Sequence, residues 1–77
     1  MINQAIPLDE RVVHIRFGGQ SRDLSVNHLN IGEYSTDQQV RQALARHLDV
    51  STRKLRPYVV ERHSNGNMTL RPEAVFG

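Results

Sequence analysis

Between positions 11 and 17 the chain reads RVVHIRF, and apolar and polar side chains take turns. Val13, Ile15 and Phe17 fall on one side, with Val12, His14 and Arg16 on the other. Successive side chains of a strand point to opposite faces, so this period of two predicts a half-buried strand. Gly18-Gly19 follow and can supply the positive φ angles of a tight hairpin. SRDLSVN then reads as the return strand, with Leu24 and Val26 inward and Asp23, Ser25 and Asn27 outward. HLNIGEY shows neither period, and Leu29 and Ile31 are expected to close one end of the core from a loop.

The period changes in STDQQVRQALARHL. Val40, Ala43, Leu44 and Leu48 recur at helical spacing and form one apolar stripe, with Arg41, Gln42, Ala45 and Arg46 expected to face away. Ser35 or Thr36 can cap this helix, each with Gln three residues on, as a capping box requires. Asp37 in the first turn and Arg46 and His47 near the end complement the helix dipole. DVSTRKLRP is a connector that sends Val50 and Leu55 toward the core, and Pro57 suits the start of an edge strand. Alternation returns in YVVERH, with Tyr58 and Val60 on one side and Val59, Glu61 and His63 on the other. SNGN is a strong hairpin signal, and NMTLR returns with Met68 and Leu70 inward and Thr69 and Arg71 outward before Pro72 ends the strand.

The predicted order is strand, strand, helix, strand, strand. Laying the helix on one face of a single four-stranded sheet buries both hairpins and the helix stripe together, an α+β arrangement. A right-handed crossover places the last strand parallel to the first, in the spatial order 2-1-4-3. With RVVHIRFGGQSRDLSV, the helix QQVRQALARHLDVSTRKLR and a final central strand leading to a terminal glycine, the chain resembles the β-grasp (ubiquitin-like) superfamily over residues 11 to 71. That resemblance implies a ββαββ fold, a mixed sheet with the helix on one face, and an opposite sheet face of the kind that commonly receives partners. Its motifs are topological, and one superfold serves many functions.

Residues 1–9 are expected to be a loose lead-in, 10–71 the domain and 72–77 a tail. At 77 residues, one small domain is all the chain can make, and such a domain buries only about 60% of its unfolded surface. Cysteine is absent, which removes disulfides and thiolate metal sites and fits a reducing compartment. The first ten residues carry no basic start and no apolar run, so neither a leader nor a membrane span is expected, and the location read is a bacterial-type cytoplasm. Ten basic residues, nine of them Arg, face eight acids, for a formal charge of +2. Acids are interleaved with the arginines along the chain, so the composition does not argue for nucleic acid.

Chemistry is sparse. Zinc needs three or four converging ligands, and His14, His28, His47 and His63 are spread over different elements, so no metal and no cofactor is expected. Neither HExxH, G-x-S-x-G, a Walker loop nor a dinucleotide fingerprint occurs, and one sheet with one helix offers little room for a water-excluding cleft, so no enzyme is expected. The expected working surface is the outer sheet face, with Val12, His14, Arg16, Val59, His63, Thr69 and Arg71 as contacts for a protein partner. An edge strand offers a weak homodimer as the alternative to a monomer. The β-grasp resemblance adds a second reading, a carrier or modifier activated at Gly77. The tails of such proteins end on two glycines, whereas here Phe76 holds the penultimate place and would obstruct a narrow activating channel. A weak nucleic-acid binder using the Arg-bearing face is a third.

Overall fold

A computed structural model describes residues 10–73. Strands β1 (Val12–Phe17) and β2 (Gln20–Ser25) form the first hairpin, and helix α1 (Asp37–Leu48) follows. One turn of 3₁₀ helix (Thr52–Leu55) leads to the second hairpin, β3 (Tyr58–Arg62) and β4 (Met68–Pro72). The sheet runs β2-β1-β4-β3. Its central pair, β1 and β4, is parallel, and both hairpins are antiparallel. This small α+β fold, a mixed four-stranded sheet with one helix, is compatible with a β-grasp-like topology.

The two hairpins turn differently. Gly18 and Gly19 have φ of +61° and +79°, and positive φ at both central positions is the two-residue turn whose twist matches that of the strands. In the second hairpin only Gly66 has positive φ, at +100°. His63 N–H donates to the Asn67 carbonyl at 2.9 Å and Gly66 N–H to the His63 carbonyl at 3.0 Å, so three residues, 64 to 66, make the connection. The Asn-Gly pair works here as the end of a wider turn. A side chain at Gly66 would run into Arg11.

Of the two candidate caps, Thr36 does the work. Its Oγ1 accepts from Gln39 N–H at 3.1 Å, and Gln39 Oε1 accepts from Thr36 N–H at 2.8 Å, completing the capping box. Ser35 instead accepts from Gly32 N–H at 2.9 Å and tightens the preceding loop. The helix ends where Asp49 turns left-handed at φ +58°, a conformation its short polar side chain tolerates.

Val13, Ile15, Met68 and Leu70 from the sheet meet Val40 and Leu44 from α1, with Val26, Leu29 and Leu55 closing the sides. One part of the expected helix pattern is corrected. Ala45 is 2% exposed and buried, and Arg41 is half-buried, although both were expected to face away. After α1 the chain folds back along that flank: Val50 N–H donates to the Ala45 carbonyl at 2.9 Å, and Leu55 is fully buried beyond it. The helix thus packs on two sides, against the sheet and against its own connector.

β4 also runs further than its proline suggests. Pro72 pairs with Tyr58, and Glu73 N–H still donates to the Pro57 carbonyl at 2.9 Å. The bonded pairs of this ladder are Pro57 with Glu73 and His63 with Asn67, which places Pro72 at a position whose N–H would point away from β3. Its missing donor removes nothing from the β3–β4 ladder and falls on the side of β1, where the Arg16 carbonyl accepts from the Tyr58 hydroxyl at 3.1 Å instead.

Candidate functional site: the open face of the sheet

With α1 on one face, the alternation of the strands sends Val12, His14 and Arg16 to the other, where no described element covers them. Pairing registers set the neighbours of each. Asp23 lies directly across from His14 on β2, Thr69 lies beside His14 on β4, and Glu61 lies across from Thr69 on β3. One row of polar side chains therefore crosses all four strands. His14 Nδ1 bonds Asp23 Oδ1 at 2.6 Å, and His63 Nε2 bonds Thr69 Oγ1 at 2.7 Å. Arg71 Nε pairs diagonally with Glu61 Oε1 at 3.2 Å, and Val59 lies across from Arg71. Arg16 makes no side-chain bond among the described residues, while its carbonyl accepts from the Tyr58 hydroxyl at 3.1 Å.

Six of the seven expected contacts, Val12, His14, Arg16, Val59, Thr69 and Arg71, thus sit on β1, β3 and β4 with one facing, and His63 joins them from the turn through its bond to Thr69. Gly77, the residue of the carrier reading, lies outside the described residues. Asp23 and Glu61 were not named as site residues, yet they hold His14 and Arg71 in place. Asp23 had a signal in the sequence: a two-residue loop after Phe17 fixes every pair of the hairpin and sets Asp23 opposite His14.

The row holds the parts of a nucleophilic relay without its order. In such a relay one imidazole takes the hydroxyl proton while a carboxylate orients that same imidazole. Here His63 touches the hydroxyl and His14 touches the carboxylate, so the two functions are divided between two rings. Both members of the His14–Asp23 pair are also well exposed, at 46% and 64% of their side chains, so water competes for every bond. Among the described residues no three His, Asp or Glu side chains are placed to hold a metal ion, and no helix is long and apolar enough to cross a membrane. What the face can do chemically is present a fixed pattern of donors, acceptors and charges. Comparison with protein-family models, with curated proteins and with solved structures found no match.

Proposed function

We propose that this protein is a non-catalytic, β-grasp (ubiquitin-like) interaction module that docks a protein partner on its open sheet face. The supporting observation is that polar residues of that face are already tied to one another across the strands, His14 to Asp23, Arg71 to Glu61 and His63 to Thr69. Side chains held before docking lose less rotamer freedom on binding, which leaves more of the contact energy as affinity. Arg16 stands beside this array, its guanidinium making no bond to another described residue, and Arg is favoured at interfaces for its flat, forked donor set. Val12 and Val59 add half-buried apolar surface to the same facing.

The test is capture of partners from the native cell with the doubly charge-reversed variant Arg16→Glu/Arg71→Glu. Partners held by the wild type should be lost with this variant and kept by Arg46→Gln, an exposed position on α1. Unchanged capture of every partner by the double variant would remove this face from consideration.

A further inference from the structure

The basic residues are interleaved with acids along much of the chain, but not in its third quarter. Arg41, Arg46, Arg53, Lys54 and Arg56 make up five of the ten basic residues, and the only acid between positions 41 and 56 is Asp49. Folding sharpens this asymmetry. Arg41 on α1 and Arg56 after the 3₁₀ turn line one cavity of about 260 Å³, together with Gln38 and Thr52. Residues three apart in a 3₁₀ turn eclipse one another, so Arg53 stacks in the same column as Arg56, with exposed Lys54 beside it. Arg46 lies elsewhere, beside Leu29 and Asn30.

Two features make this more than a solvated basic flank. Arg41 is held, because its Nη1 donates to the Tyr58 carbonyl at 3.1 Å while the residue lines the cavity. Among the described residues no carboxylate lies within ion-pair reach of Arg41, Arg53, Lys54 or Arg56. Every other side chain of the wall can donate as well, through the Gln38 carboxamide and the Thr52 hydroxyl. Uncompensated cations around one concavity repel each other and raise the local concentration of anions.

We propose that this cavity binds a phosphate group of a small anion, gripped by Arg41 and Arg56, with Thr52 and Gln38 bonding its remaining oxygens and Arg53 and Lys54 at the rim. Guanidinium forks match the oxygen spacing of phosphate. Four donor side chains on two walls, Gln38 and Arg41 from α1 and Thr52 and Arg56 from the connector, suit a group with three or more acceptor oxygens better than a carboxylate with two. Among the described residues no ring lines the cavity on which a base could stack. Tyr34, 95% exposed, belongs to the loop before α1 and does not line it, so the wall reads phosphate and not base.

The experiment is calorimetric titration of the full chain with inorganic pyrophosphate, then inorganic phosphate, in chloride buffer, with a single-stranded RNA of twelve nucleotides as competitor. Pyrophosphate should bind, and Arg56→Gln and Arg41→Lys should each weaken it about tenfold or more, in line with the loss of a charge-assisted bond. Phosphate binding as tightly as pyrophosphate would assign the site to a single phosphoryl group; tighter pyrophosphate binding would extend it to the Arg53–Lys54 rim. Should Arg41→Lys fail to fold by circular dichroism, Arg56→Gln decides, because among the described residues exposed Arg56 bonds only through its backbone N–H, to the Arg53 carbonyl. The proposal is overturned if pyrophosphate does not bind at millimolar concentration, or if Arg56→Gln binds it as well as the wild type. It is equally overturned if RNA binds and pyrophosphate cannot displace it, since the patch would then be a backbone track.

Discussion

Leu44 and Arg62 hold the domain together by opposite physics. Leu44 is fully buried at the centre of the helix stripe, so truncating it removes apolar contact and leaves a cavity. Leu44→Ala should lower stability by about 2–5 kcal/mol. That is a large part of what a domain this small can hold, so partial unfolding at 25 °C is expected in a urea titration. A loss under about 1 kcal/mol would mean that α1 settles freely onto the sheet, against the packing described. Arg62 acts from the surface. One nitrogen, Nη2, donates to the Ser35 carbonyl at 2.7 Å and pairs with Asp37 at 2.8 Å, while Nη1 reaches the Glu33 carbonyl at 3.4 Å. It ties the end of β3 to the loop that launches α1. Charge-assisted bonds count for more than neutral ones, but solvent screens this group, so Arg62→Ala should destabilise by about 1–2 kcal/mol. Arg62→Lys should recover less than half of that loss, because a single ammonium cannot span three acceptors. The sequence showed Leu44 through its spacing. Arg62 has no role visible in the sequence, because its partners lie 25 to 29 residues away in the chain.

At the scale of elements, local signals were read well where the partner is also local. Thr36 and Gln39 are three residues apart, and the capping box they form is visible in the sequence. Thr36→Ala should therefore cost about 0.5–2 kcal/mol, with Thr36→Ser restoring most of it, as measured by thermal unfolding. An unaltered melting temperature in Thr36→Ala would show that the Arg62 clamp alone secures the helix start. The apolar stripe was legible too, but only on its sheet side. Ala45 and Arg41 were assigned to solvent because nothing in residues 37 to 48 reports that the chain will double back over them. Pro72 is a similar case. Its fixed φ and missing donor suggest a stop, while in the fold its donor-less side faces β1, where the Arg16 carbonyl accepts from the distant Tyr58 hydroxyl instead.

For the whole molecule, the edges of the sheet decide how it meets other copies. The β3 edge is partly closed, since Arg41 caps the Tyr58 carbonyl. Among the described residues no strand pairs with the outer edge of β2, whose middle residues are Arg22 and Asp23. A two-fold pairing of antiparallel strands sets a residue opposite itself, so the two registers centred on this strand place Arg22 against Arg22 or Asp23 against Asp23. Like charges directly opposite are destabilising, and charged edges are a usual guard against such pairing. The protein should therefore sediment as a monomer at micromolar concentration, and Arg22→Val/Asp23→Thr should increase self-association. A dimer of the wild type that survives high salt would contradict this.

Taken alone, the sequence determined the order of the elements, the inward set of each strand, a pair of candidate helix caps and the facing of six of the seven candidate contacts. All of these depend on periods and spacings within a few residues, where backbone geometry leaves few choices. Tertiary structure decided what joins across distance: the setting of Thr69 between His14 and His63, the Arg62 clamp, the burial of Ala45, and the gathering of Arg41 and Arg56 around one cavity. Those contacts depend on how the chain returns to itself. Local spacing carries no term for that, because the return is fixed only when the apolar faces of both hairpins and the helix close on one core.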